Sequence, residues 1–208
     1  MLRVGTTAAV TVALAVSVSG CSGGTPSADR CEAVAVPLSD IPTRTDQEPK
    51  MRIPVPPGWE RSTGMDSENI RFAIRNNDLA AEGFKPNAVV TLQKVPLDVG
   101  KPEQILAAQN DQLSKKLQVT DMKATSTEVC GSPAMSTTYT APEVDLSKRN
   151  PKAPKIPPRK ATSLGVVFKD GDANYVATLT VQTVKPDDPT YQQDSANILR
   201  GFQLLPPK

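Results

Sequence analysis

The stretch TSLGVVFKDGDANYVATLTVQ, residues 162–182, decides the fold class. Leu164, Val166 and Phe168 alternate with small or polar neighbours, the period of a half-buried strand. Asp170-Gly171 supplies hairpin turn chemistry. Tyr175, Ala177, Leu179 and Val181 then line one face of a second strand, and Thr178, Thr180 and Gln182 line the other. The pair is an antiparallel hairpin with one apolar face, and its second face is expected to be solvated or covered by polar groups.

Working outward, Pro142 to Lys160 breaks the pattern with five prolines. Lys148, Arg149, Lys152, Lys155, Arg159 and Lys160 are opposed there only by Glu143 and Asp145, a net +4. A loop this long inside a domain is commonly functional or disordered. Its charge is suited to anionic headgroups, and its Pro-x-x-Pro spacing to an aromatic groove. Before it, Val119–Val129 and Ala134–Ala141 read as a hairpin around Gly131-Ser132-Pro133. Pro102 opens a helix with Leu106, Gln109, Leu113 and Leu117 on one stripe and Ile105 beside it. Further back lie strands at Met51–Val55, Asn69–Arg75 and Ala88–Val95. In the second, Ile70, Phe72 and Ile74 are expected to face inward, leaving Arg71 and Arg75 outward as candidates for an acidic group. Trp59, just after the Pro56-Pro57-Gly58 turn, is read either as a core anchor or as the rim of a ligand pocket. After the central hairpin, Asp187-Asp188-Pro189 starts a last helix with Tyr191, Ser195, Ile198 and Phe202 inward. The order β-β-β-α-β-β-β-β-α implies an α+β fold, a central antiparallel sheet flanked by helices.

The N-terminus carries Arg3, an apolar run to Val18, and Val18-Ser19-Gly20-Cys21. That is a secretory signal peptide over residues 1–20, and the tetrad resembles the bacterial lipobox. The resemblance implies that Cys21 is lipidated and becomes the mature N-terminus. Residues 21–50, rich in Pro and Gly, read as a tether, so that one domain spans 51–208. Cys31 and Cys130 remain as an even pair in an oxidising compartment and are read as a disulfide, with two free thiols as the alternative. The cross-link should pin part of the tether and leave Ser22 to Arg30 free.

Composition removes many functions. There is no histidine, which excludes Ser-His-Asp and Cys-His arrangements within the chain and most catalytic zinc sites. A formal charge of +2, falling to +1 without Arg3, argues against a nucleic-acid partner. No catalytic residue, cofactor or metal ligand is assigned.

Pro56-Pro57-Gly58-Trp59, Asn77-Asp78, Pro86-Asn87-Ala88-Val89-Val90 and the closing helix, together with Cys21, resemble the LpqN/LpqT lipoproteins of mycobacteria. The resemblance runs from about Met51 to the end and implies a Mog1/PsbP-like fold, attachment to the cell envelope, and a part in envelope-lipid biogenesis or transport. It carries over no catalytic motif, and the loop at 142–160 does not map onto it. The expected protein is a non-catalytic, membrane-anchored accessory protein, exported and held by lipid to the outer face of the cell membrane or envelope. It would bind envelope proteins or lipids. The alternatives are a carrier with an apolar cavity between sheet and helices, and a histidine-free enzyme using carboxylates such as Glu68, Asp78 or Glu82.

Overall fold

A computed structural model of the chain describes residues 26–145, 155–171 and 173–207. The signal segment, Cys21, and Lys148, Arg149 and Lys152 of the basic loop lie outside the described residues. The central sheet has seven strands. They are β3 (Trp59–Arg61), β4 (Ile70–Asn76), β5 (Asn87–Pro96), β6 (Thr120–Val129), β7 (Ser132–Ala141), β10 (Arg159–Asp170) and β11 (Ala173–Thr183). Their order is β3-β4-β5-β11-β10-β7-β6, and each neighbouring pair is antiparallel. Helix α1 (Pro102–Leu117) follows β5, and α2 (Pro189–Arg200) follows β11. A small antiparallel sheet, β1 (Leu38–Ile41), β2 (Lys50–Pro54) and β12 (Gln203–Leu205), completes the fold. The nine elements read from sequence periodicity are all present.

The expected hairpin of β10 and β11 sits near the middle of the sheet, and its apolar face makes the main core. Val166, Ala177, Leu179 and Val181 are fully buried there with Ile53 of β2 and with Ile198 and Leu204 around α2. Asp188 caps α2, its carboxylate accepting the Tyr191 amide at 2.9 Å. The buried stripe of α2 runs Tyr191, Asp194, Ile198, and Ser195 is only half-buried. Asp194 stands three residues after Tyr191 and four before Ile198, so helical geometry points its carboxylate into the core. It is accommodated because the indole Nε1 of Trp59 donates to Asp194 Oδ2 at 2.8 Å. Trp59 is therefore a core anchor, only 4% exposed, and not the rim of a pocket.

The tether expectation is corrected. Residues from Ser27 onward are docked. The Ser27 amide donates to the Cys130 carbonyl, Ala28–Arg30 form a 3-10 turn, and Cys31 is disulfide-bonded to Cys130 across 99 positions. Closing a loop of that size contributes about 4–5 kcal/mol in the chain-entropy model. The β6–β7 turn is Cys130-Gly131, one residue earlier than Gly131-Ser132-Pro133 implied, with φ of 51° and 86° as a two-residue type I′ turn requires. A Cβ at position 131 would fall 2.5 Å from the Arg30 guanidinium, so glycine also lets the docked segment lie close. Beyond the disulfide, Leu38 to Ile41 pair in register with Pro54 to Met51. Four residues between Pro37 and Pro42 carry too little pattern to be read as a strand, and pairing with β2 supplies what propensity lacks.

A second correction concerns Arg71. A one-residue bulge between Ile70 and Phe72 interrupts the β4 alternation, with Ile70 opposite Thr91 and Phe72 opposite Val90. Arg71 is buried against Glu48 of the β1–β2 connection in a bidentate pair of 2.6 and 3.0 Å. The Glu48 carboxylate also accepts the Arg44 amide at 2.8 Å, while the Arg44 guanidinium donates to the Ser67 and Glu68 carbonyls. Burial pushes the Glu48 carboxyl up, but the Arg71 and Arg44 hydrogen bonds and charges outweigh it and hold it below its ordinary 4.5. A carboxylate depressed on folding stabilises above its unfolded value, and that stability is lost as pH falls through the folded one.

Glu48→Gln should therefore cost about 3–5 kcal/mol at neutral pH, since it leaves the Arg71 charge buried without a counter-charge. In urea unfolding, the gap between wild type and E48Q should narrow as pH drops below 4.5; a gap constant with pH would contradict the assignment. Asp194→Ala should cost about 1–3 kcal/mol by orphaning the indole N–H, and Asp194→Asn, which keeps an acceptor, should recover most of it in the same assay.

Candidate groove between helix and sheet

The second face of the central sheet carries the other half of each alternating pattern: Thr137 and Met135 of β7, Ser163, Gly165 and Val167 of β10, Val176, Thr178 and Thr180 of β11. Helix α1 crosses this face over β7 and β10. Only Ile105 and Leu106, in its first turn and a half, are buried, against Val167 and Val176. Gly165 permits the approach, because a Cβ there would lie 2.9 Å from Leu106 Cδ2 and 3.0 Å from Gln109 Oε1. Midway along, Thr137 donates its hydroxyl proton to Asn110 Oδ1 at 2.9 Å, and Gln109 Nε2 reaches Thr178 Oγ1 at 3.4 Å. The last turn stands away from the sheet, and Leu117 is 54% exposed. The polar face foreseen for Thr178 and Thr180 is thus partly roofed by amide side chains.

Between α1 and the uncovered part of the sheet runs a groove of about 420 Å³. Val95, Ile105, Leu106 and Val176 give it apolar walls toward the helix start, Leu113 and Leu117 line it toward the helix end, and Thr137, Ser163, Thr178 and Thr180 form a hydroxyl floor between. Ser163 and Thr180 hydrogen-bond each other at 3.0 Å, so the floor is partly satisfied when empty. Among the described residues, Lys116 is the one charged side chain that lines it. Among the described residues no carboxylate or thiol enters the lining, and what the groove offers is contact area, hydroxyl and amide hydrogen-bonding groups and the Lys116 amine.

The residues singled out from the sequence are scattered. Trp59 is in the core, and the Arg71 side chain is covered in its pair with Glu48. Arg75 is exposed on β4, opposite Glu60 and Asn87. The flanks of the basic loop bring their own counter-charges. Lys155 faces Glu143 at 3.6 Å and Asp145 at 3.8 Å, beside a two-residue ladder of β8 (Val144–Asp145) and β9 (Lys155–Ile156). Lys160 pairs with Asp121 at 3.3 Å and donates to Thr140. Arg159 is half-buried, donating to Gln182 Oε1 at 2.7 Å and to the Pro142 carbonyl, with its guanidinium 5.8 Å from the Phe84 ring centre. Burial pulls Arg159 below its ordinary value, opposed by the Tyr139 phenol. Arg159 is thus a fixture of the sheet surface beyond the last turn of α1. Glu68, Asp78 and Glu82 are exposed, and β4 separates the first from the other two by about 20 Å. Glu68 therefore forms no carboxylate pair with either of the others. A cavity between sheet and helices was among the expectations, as an apolar one and with no lining residue named; the sequence signal for the groove was the run of hydroxyl residues on a strand face that also contains valines.

No curated protein matches the sequence. Among solved structures, LpqN of Mycobacterium tuberculosis, described as involved in cell envelope biogenesis, superposes with a TM-score of 0.60 at 16% identity, over 83% of this chain and 93% of that one. The yeast Ran-binding protein Mog1p of Saccharomyces cerevisiae is similar at a TM-score of 0.47 and 12% identity, over 83% and 97%. The fold is the α+β sandwich expected from the sequence. The family described as probable lipoprotein LpqN, Lpp-LpqN, matches residues 29–205, and the chain belongs to it.

Proposed function

We propose that this protein is a non-catalytic accessory lipoprotein, anchored through Cys21 to the outer face of the membrane or envelope, that binds an envelope component in the α1 groove. The observation that carries the reading is the groove: open, about 420 Å³, within the size range of small-ligand sites. Its mixed lining suits an amphipathic molecule, with a polar part over Thr178 and Thr180 and apolar parts along Val95, Leu106 and Val176 or along Leu113 and Leu117. Family membership and the LpqN structure, described as involved in envelope biogenesis, support a role in envelope biogenesis or lipid transport. The lining, with hydroxyls paired to hydroxyls and amides, favours binding over catalysis.

The test is extraction of the purified protein with organic solvent and quantification of co-purified lipid by mass spectrometry. Near-stoichiometric lipid of one class is expected. Thr178→Trp, which fills the groove floor, should lower retained lipid about tenfold or more while the thermal midpoint stays close to wild type. Lipid retained unchanged by T178W would place the ligand elsewhere.

A further inference from the structure

The registers of the central sheet put three turns at one end. Leu92, Ala177, Val166 and Ala134 form a row across four strands. Four residues beyond that row lie Pro96 of β5, Ala173 of β11, Asp170 of β10 and, past the start of β7, Cys130. The β6–β7 turn, the β10–β11 turn and the β5–α1 connection are therefore level. At that end Leu97 and Val99 stand 40% and 53% exposed on a 3-10 turn, and Val99 also lines the groove.

The described part of the chain begins at the same end. Among the described residues the first backbone contact is the Ser27 amide on the Cys130 carbonyl, locked by the Cys31–Cys130 disulfide. From Ser27 back to Cys21 is six residues, a reach of at most about 22 Å. The four strand spacings from β6 to β5 measure about 19 Å. Leu117 and Met122 are exposed too, but near the opposite end of the sheet, about 30 Å along β6 and β7 and beyond the leash. Exposure does not choose between the two ends; the leash does. Lys94, Lys101 and Lys169 flank the near end and are offset by Asp98, Glu103 and Asp170, so apolar insertion outweighs net charge in the contact.

We propose that the Cys130 end of the sheet rests on the lipid bilayer, with Leu97 and Val99 at the headgroup boundary and the Val95–Val99 mouth of the groove opening onto it. This rests on anchoring at Cys21. The groove then loads from and discharges into the membrane at one mouth, while the α1 C-terminus and Lys116 point away from it.

The experiment uses the full lipidated chain in phosphatidylcholine vesicles whose acyl chains carry bromine, with Val99→Trp and Leu117→Trp as reporters and the buried Trp59 as common background. Vesicle flotation that is lost in Cys21→Ser establishes the anchor; failure of the wild type to float overturns anchor and orientation together. With flotation secured, bromine should quench V99W about threefold or more beyond L117W. Equal quenching, or stronger quenching of L117W, overturns the orientation and leaves the anchor standing. Lengthening the leash with a Gly-Ser insertion after Cys21 should shrink the difference; a difference that persists unchanged overturns the leash as its cause.

Discussion

The period-two patterns of β10 and β11 constrain everything else in this molecule. Leu164, Val166 and Phe168 face the same way as Tyr175, Ala177, Leu179 and Val181, and no monomer can leave that much apolar surface in water. Burial requires a cover, and α2 alone, with three buried positions, is too small to provide one. The small sheet is the solution: β1 from the N-terminal segment, β2, and β12 from the C-terminal tail bring Ile41, Met51, Ile53 and Leu204 over the same face. The two ends of the folded chain are thereby recruited into one layer. The opposite face, rich in Ser and Thr, creates no such demand, so α1 covers it only in part. The groove follows from that asymmetry.

A cover made partly of an N-terminal segment must be held, since β1 contributes only four residues. Three attachments do this by different physics. The disulfide acts on the unfolded chain, removing its freedom over a loop of 99 positions. The Glu48–Arg71 pair acts inside the protein. Its desolvation penalty is offset by the carboxylate taking the two terminal guanidinium nitrogens and the Arg44 amide together, while Arg71 Nε is buried without a partner. The third attachment is ordinary packing of Ile41 against Met51 and its neighbours. Their spacing along the sequence, at positions 31, 41 and 48, leaves little slack between fixed points, and so the segment reads as structure despite a composition suited to a linker.

That composition is where sequence reading reached its limit. Periodicity located the strands of seven residues or more and both helices, because a repeated apolar position is a direct record of which face is buried. Strands β1, β3 and β12 have three or four residues each, too few for a period to repeat. The β4 bulge is invisible for a related reason. Alternation assigned Arg71 to the outer face, and one inserted residue reversed it. Asp194 was legible in principle, since it lies on the inward stripe of α2, but a carboxylate on such a stripe announces itself only when its donor is known. Trp59 lies 135 residues away. The groove was half legible: the hydroxyl face of β11 was visible, while the choice of helix to roof it, and the incompleteness of that roof, depended on Gly165 and on tertiary packing.

The satisfied state of the groove floor bears on what it can hold. Ser163 with Thr180, and Thr137 with Asn110, already pair their hydroxyls within the protein. An occupant that displaced these bonds without replacing them would leave buried polar groups unpaired, at about 1–3 kcal/mol each. A saturated hydrocarbon lying along the whole groove meets that penalty wherever it intrudes on the floor. A molecule with an apolar stretch and a hydroxyl-rich head does not, because its head exchanges one hydrogen bond for another. The hydroxyl floor is flanked by apolar lining at both ends, Val95 and Val99 at one and Leu113 and Leu117 at the other. In the proposed complex the pairing that keeps the empty floor satisfied would therefore seat a polar head over Thr178 and Thr180, with apolar parts of the ligand on the lining to either side.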